Sequence, residues 1–149
     1  MTMIRITKIF KFETAHALAG YDGLCKHIHG HSYELQVTIK GEPISDPSSP
    51  KMGMVMDFGD LKRLVRQLIV DRYDHALVLG EQSRHLIPEN NADLFGKVII
   101  VPWQPSSEGF LVDFARVLKA KLPMGVSLHH LLLRETPTSF AEWYADDNP

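Results

Sequence analysis

Seven consecutive residues, CKHIHGH at positions 25–31, hold one thiol and three imidazoles. The whole chain of 149 residues has one cysteine and eight histidines, so these groups are concentrated here. Thiolates and neutral imidazoles bind metal ions, and both also act as nucleophiles or bases in catalysis. The stretch therefore predicts a metal site, a catalytic thiol, or both.

Two of the imidazoles, those of His29 and His31, are two residues apart in a segment with alternating polarity, 29–40. This period of two indicates a half-buried strand and places both side chains on its apolar face. His16 continues the apolar face of an earlier alternating segment, 3–14. If the two segments pair, the three imidazoles come together. Three nitrogen donors with an open fourth position are typical of a catalytic zinc site. An HxH pair alone is structural about as often as it binds a metal. Three histidines on the apolar faces of two strands favour a metal site.

Cys25 has three interpretations, and its spacing from the histidines does not choose among them. The thiol could be a fourth ligand that closes a structural Cys-His₃ site. It could also be an inert buried thiol, which is the commonest fate of a lone cysteine. Finally, it could be a reactive thiolate that is stabilised by a nearby cation such as Lys26 or a metal ion.

Two carboxylates have possible roles beside these groups. Asp74 precedes His75 just after a predicted helix, and Asp, His and Cys side chains that converge would form a proton-transfer relay. The alternative for His75 is a histidine at a helix C-terminus, since adjacent side chains on an extended chain face opposite ways. Glu135 ends a predicted strand, where it is either solvated or able to accept two N–H bonds from a flat heterocycle.

The predicted elements are strands and two amphipathic helices. One helix begins near Asp57 and the other spans Ser107–Leu122, where Pro123 ends it. The segment 73–96 is mixed and is expected to be mostly loop. We predict an α+β fold in which two helices cover one face of a mainly antiparallel, four-stranded sheet, whose edges favour oligomers. The predicted strands are residues 3–14, 29–40, 97–103, 125–135 and, if it forms, a last short one at 139–146.

Composition narrows the class of protein. The length predicts one domain, 1–149, with a core of its own. A formal net charge of −2 argues against a nucleic-acid partner, which usually needs a basic face. There is no apolar run of membrane-spanning length and no signal-peptide pattern at the N-terminus, so we expect a cytoplasmic protein without a membrane partner.

Six short motifs in order resemble the 6-pyruvoyl- and 6-carboxy-tetrahydropterin synthase superfamily. The resemblance runs from residue 10 to about residue 144, and the order of the motifs makes it specific. They are FETAH, C-x₃-HGH, GMVMDFGDLK, DH, PSSE and RETPTSFAEWY. The resemblance implies a tunnelling fold (T-fold), whose subunits join their sheets into a barrel, commonly as a hexamer of two trimers.

The resemblance also implies roles for individual residues. His16, His29 and His31 match zinc ligands, Cys25 matches the catalytic thiol, Asp74 and His75 match its partners, and Glu135 matches the carboxylate that holds the pterin ring. Ser106 and Ser107 occupy a segment in which family members carry threonines that help to bind the pterin. His27 and a longer segment at 80–96 depart from the family pattern.

The short C-x₃-HGH spacing resembles the 6-carboxy-tetrahydropterin synthases of queuosine (7-deazaguanine) biosynthesis. This implies a zinc lyase that converts 7,8-dihydroneopterin triphosphate to 6-carboxytetrahydropterin, releasing triphosphate and acetaldehyde. The pyruvoyl-forming synthase is the nearest alternative. A zinc-stabilised binding module without activity is a second, and a zinc hydrolase is disfavoured because no HExxH-type helix is present.

Overall fold

The computed structural model describes residues 1–149, which form one six-stranded sheet with two main helices. The sheet order is β4-β3-β1-β2-β5-β6. The strands are β1 (Ile4–His16), β2 (His29–Gly41), β3 (Ala76–Gly80), β4 (Val98–Val101), β5 (Val126–Thr136) and β6 (Ser139–Tyr144). The helices are α1 (Phe58–Val65), which a π turn (Arg66–Val70) joins to α2 (Asp71–Tyr73), and α3 (Ser107–Lys121). One-turn or two-turn 3₁₀ helices span Leu24–Lys26, Glu81–Leu86 and Ala145–Asp147.

The α+β class and the mainly antiparallel character of the sheet are confirmed, but the predicted number of four strands is wrong. The sheet has six strands. Three of its five pairings are antiparallel, and β3 pairs in parallel with both β1 and β4. The segment 73–96, expected to be mostly loop, contains β3. Its ALVLG sequence lies between two strands with most residues buried. A strand enclosed in this way has an apolar run instead of an alternating pattern, so the period of two does not reveal it.

The hydrophobic core lies between one face of the sheet and the helices. The predicted alternation is confirmed: β1 buries Phe10 and Phe12, and β2 buries Tyr33 and every second residue after it. The helices contribute a matching apolar stripe to the same core. Its buried members are Leu61, Val65, Ile69, Val70, Tyr73, Phe110, Leu111, Phe114, Ala115 and Leu118.

Both predicted helix starts are confirmed. The Asp57 carboxylate accepts a hydrogen bond from the Gly59 N–H at 2.6 Å and so caps α1. Ser106 Oγ accepts one from the Gly109 N–H at 3.1 Å and caps α3. A side chain on Gly109 would collide with the Gln104 carbonyl oxygen, since a Cβ there would lie 2.1 Å from it. None of the helices has the length and apolar character needed to cross a bilayer.

Candidate active site

The three histidines predicted to bind a metal converge at one end of the sheet. His16 is the last residue of β1 and pairs directly with His29, the first residue of β2, while His31 pairs with Thr14. The three side chains lie on the core side of the two strands, and one donor atom from each falls within 4.8 Å of the other two. The convergence follows from the period of two in each strand together with this antiparallel register.

Backbone carbonyls orient two of the three rings. His16 Nδ1 lies 2.6 Å from the Pro105 carbonyl oxygen, and His29 Nδ1 lies 2.7 Å from that of His27. A carbonyl oxygen only accepts hydrogen bonds, so Nδ1 carries the proton in each ring, and in the neutral form of each ring Nε2 presents a lone pair. These two Nε2 atoms are 2.9 Å apart. Two lone pairs at this distance repel each other, and a cation between them would satisfy both.

His31 completes the donor set. Its Nε2 is buried and has no hydrogen-bond partner. Burial lowers the pKa of His31, and it is also the main cause that lowers the pKa of the His16 ring, so both imidazoles are neutral at pH 7. Neutral imidazole is the form that binds metal ions. An unpartnered buried nitrogen, two fixed tautomers and three converging donors therefore make a group that can hold a metal ion.

Glu135, near the end of β5, faces the same cluster. Its Oε1 is 3.5 Å from His16 Nε2 and 3.3 Å from His31 Nε2, although the geometry to His31 is not that of a hydrogen bond. The Tyr33 hydroxyl donates a hydrogen bond to the same oxygen at 3.4 Å. Burial, followed by the charge of Glu135, raises the pKa of Tyr33, which stays a neutral donor. The sequence did not point to Tyr33, although it continues the face of His29 and His31.

Asp74 and His75 link α2 to β3, and both are hydrogen-bonded to the backbone of Glu13 in β1. The Asp74 carboxylate accepts a hydrogen bond from the Glu13 N–H at 2.8 Å, and the His75 N–H donates one to the Glu13 carbonyl at 2.6 Å. His75 has a φ of 59°, in the left-handed region that a residue with a side chain seldom adopts.

This backbone conformation brings the two side chains together. His75 Nδ1 lies 3.1 Å from Asp74 Oδ1, and the imidazole is 79% exposed. The expectation that adjacent side chains face opposite ways applies to an extended chain, which this turn is not. An exposed imidazole that a carboxylate orients is suited to proton transfer.

Cys25 lies in the 3₁₀ turn Leu24–Lys26, where its carbonyl accepts a hydrogen bond from the Leu18 N–H. The thiol is exposed in the chain, unlike an inert core cysteine. The sulfur is not among the donor atoms that converge with the histidines. The position of Cys25 therefore fits neither an inert buried thiol nor a fourth ligand of the histidine cluster, and the reactive thiolate stays a prediction.

Ser106 and Ser107 differ in their surroundings. Ser106 Oγ caps α3, and the preceding residue, Pro105, supplies the carbonyl that fixes His16. Ser107 is buried, and its Oγ has no hydrogen-bond partner. A buried hydroxyl without a partner is uncommon.

Two clefts meet at the histidine cluster. One, of about 640 Å³, is lined by His31, His75 and the apolar side chains of Leu77, Leu94 and others. The second, of about 590 Å³, contains Glu135, Tyr33 and the other side of His31. His31 thus borders both the cleft that contains His75 and the cleft that contains Glu135.

Comparison with known proteins gives the family. The sequence profile of the 6-pyruvoyl tetrahydropterin synthase family matches residues 5–146. The chain belongs to this family. A Haemophilus influenzae relative that bears the name 6-carboxy-5,6,7,8-tetrahydropterin synthase is 37% identical over 95% of this chain and 99% of its own length. Members of the synthase family act on pterins, so this chain is an enzyme of a pterin-metabolising family.

Solved structures support the synthase fold. A Wolinella succinogenes protein superposes with a TM-score of 0.77 at 20% identity, covering 97% of this chain and 99% of that one. The Caenorhabditis elegans 6-pyruvoyl tetrahydropterin synthase superposes with a TM-score of 0.67 at 24% identity, covering 97% and 96%. The predicted tunnelling fold is therefore confirmed for the subunit.

Proposed function

We propose that this chain is a zinc-dependent 6-carboxy-5,6,7,8-tetrahydropterin synthase. Its substrate would be 7,8-dihydroneopterin triphosphate, and with one water it would yield 6-carboxytetrahydropterin, triphosphate and acetaldehyde. The observation that carries the proposal is the convergence of His16, His29 and His31 in a chain 37% identical to a protein of that name. Such a product would serve 7-deazaguanine (queuosine) biosynthesis, and the reaction would make the enzyme a lyase.

The proposed metal is zinc because three neutral imidazoles are the donor set of many catalytic zinc sites. A zinc ion bound there would supply Lewis-acid polarisation to the hydroxyl oxygens of the substrate side chain. The remaining chemistry falls to groups of the protein.

Proton transfer is assigned to Cys25 and His75. As a thiolate, Cys25 would remove a proton from a carbon of the side chain, and His75 would exchange a proton on the opposite side. Asp74 would hold His75 in position, supported by the 3.1 Å contact between the two side chains. These groups belong in part to different copies of the chain if, as we also propose, the enzyme is a hexamer of two trimers with sites between subunits.

Binding of the pterin ring is assigned to Glu135 and the two serines. A carboxylate can accept two N–H bonds from the amidine-like edge of a pterin. The unpartnered hydroxyl of Ser107 and the adjacent Ser106 would contact the ring from the start of α3. Positioning of this kind can supply several kcal/mol of the barrier reduction.

One assay tests the proposal. The zinc-loaded protein is incubated with 7,8-dihydroneopterin triphosphate, and the pterin product is identified by mass while triphosphate and acetaldehyde are measured. We expect 6-carboxytetrahydropterin and both by-products. A pyruvoyl product without acetaldehyde would instead select the pyruvoyl-forming synthase for which the family is named. Unreacted substrate would contradict both.

A further inference from the structure

The carboxylate of Glu135 stands where a fourth metal ligand would stand. Two atoms that each bind one zinc ion at about 2.1 Å, at the tetrahedral angle, are about 3.4 Å apart. Glu135 Oε1 is 3.5 Å from His16 Nε2 and 3.3 Å from His31 Nε2. The carboxylate borders the His16–His31 edge of the donor cluster, at distances that ligands of a common ion would have.

No lysine or arginine side chain pairs with Glu135. Its only ion-pair contacts are with the imidazoles of His16 and His31, whose Nε2 atoms belong to the donor cluster. The neighbouring Arg134 turns instead toward Glu34, at 3.7 Å. The Tyr33 hydroxyl supplies a neutral hydrogen bond only. A partly buried carboxylate in this setting calls for a positive charge, and a bound metal ion would provide it.

We propose that Glu135 is a ligand of the metal ion in the substrate-free protein and leaves the metal when it binds the pterin ring. This inference rests on the function proposed above. A carboxylate that accepts two N–H bonds directs both oxygens at the ring, so it gives up the metal at that moment. The coordination position then opens to the substrate only after the ring is in place.

The surroundings of Glu135 allow this exchange. It is the penultimate residue of β5, next to the short turn to β6, and its side chain is 27% exposed. It lines the cleft of about 590 Å³ together with His31 and Tyr33, so a planar heterocycle has access to the carboxylate. The three histidines lie on the hydrogen-bonded ladder between β1 and β2 and need not move.

The first experiment measures metal affinity without substrate, by zinc competition with a chelator. Glu135→Gln should bind zinc about 10- to 100-fold more weakly than the unchanged protein. The matched control is Glu34→Gln, because Glu34 lies on the adjacent strand with 25% exposure and does not face the histidines. Affinity of Glu135→Gln within twofold of the control would overturn the ligand role, whatever the enzyme's reaction is.

The second experiment follows the coordination of cobalt(II) in place of zinc, with 6-methylpterin as probe, a ring without hydroxyls on its side chain. Its binding is measured separately by ring fluorescence. We expect the visible cobalt spectrum of the unchanged protein to shift on binding, and the spectrum of Glu135→Gln to differ already before addition. A ring that binds without any shift would overturn the release step. A ring that fails to bind would contradict the pterin-anchoring role in the proposed function and leave the affinity result standing.

Discussion

His16 and His29 are direct partners across the β1–β2 ladder, and their Nε2 atoms face each other at 2.9 Å. Each ring donates its Nδ1–H to a backbone carbonyl, so a neutral ring at either position has no proton on Nε2 with which to relieve the contact. The pair is set up for a cation before any cation binds. Preorganisation of this kind lowers the cost of assembling a metal site.

We expect Ala substitution of His29 or His31 to weaken zinc binding by at least about 100-fold. The reason is that each removes one of three nitrogen donors. His27→Ala is the control, because its exposed ring lies outside the cluster and only its backbone carbonyl holds His29. Metal content after dialysis checks the prediction. Retention of one zinc per chain by both variants would contradict the assigned ligand set.

The same metal should stabilise the fold. A ligand present at about 100 times its dissociation constant adds about 2.7 kcal/mol to the free energy of unfolding. Chelation should therefore lower the melting temperature of the unchanged protein, and it should have little effect on His31→Ala. An equal decrease of the melting temperature in both proteins would show that the chelator does not act through the histidine site.

Cys25→Ala should leave zinc content unchanged while turnover falls by about 10²- to 10⁴-fold, the contribution typical of general acid–base catalysis. The exposed thiol lies outside the histidine cluster, so its removal takes no donor from the metal. Zinc content and product formation are measured on the same preparation. Loss of zinc together with turnover would identify Cys25 as a ligand and overturn its catalytic role.

The stability of the metal-free protein should depend on pH through Asp74. The hydrogen bond from the Glu13 N–H is the main cause that lowers the pKa of this carboxyl, and the contact with His75 adds to it. A pKa that is lower in the folded than in the unfolded chain adds to the free energy of unfolding. This contribution is complete above the pKa of the unfolded chain, about 3.9, and it is lost as the pH falls through the pKa of the folded chain. Asp74→Asn removes this contribution.

The test is the difference in unfolding free energy between the metal-free parent and Asp74→Asn, measured with urea from pH 6 to pH 3. Taking the difference removes the titration of the groups that do not contact Asp74, because both proteins share them. We expect a small advantage of the parent above pH 5 that shrinks below about pH 4. A constant difference across the range would show that Asp74 keeps its ordinary pKa.

Alternation along the chain was enough to place His16, His29 and His31 on one face, because a strand has a strict period of two. It could not supply the position of Glu135, which depends on long-range pairing. In the ladder between β2 and β5, Glu34 is opposite Arg134, so Tyr33 and Glu135 come next to each other at the histidines. The packing of the whole sheet decides which strands pair, so a local sequence pattern does not reveal this contact.

The strand Ala76–Gly80 shows a different limit. It is short and mostly buried, so it lacks the polar half of the alternating pattern. The contact between Asp74 and His75 could not be predicted from the sequence either. It depends on the left-handed backbone conformation of His75, which residues other than glycine seldom adopt. By contrast, Asp57 indicated where α1 begins, because capping is a local interaction.

We expect substitution of Phe114 in the core to lower the free energy of unfolding strongly. Its side chain is fully buried between the rings of Phe12, Tyr73 and Phe110. Replacement by Ala should cost about 3–5 kcal/mol of unfolding free energy. Val112 on the same helix is 66% exposed, and its replacement by Ala should cost less than about 0.5 kcal/mol. Equal effects in urea unfolding would contradict the assignment of the buried face of α3.

Substitutions of the two serines at the start of α3 should have different effects, one on the stability of the fold and the other on substrate binding. Ser106→Ala removes the hydroxyl that caps the helix and should cost about 1 kcal/mol. Ser107→Ala removes a buried hydroxyl that has no partner, so stability should hold or rise. If that hydroxyl contacts the pterin, the same variant should have a raised KM. Ser107→Ala with lowered stability and an unchanged KM would mean that its hydroxyl serves the fold and not the substrate.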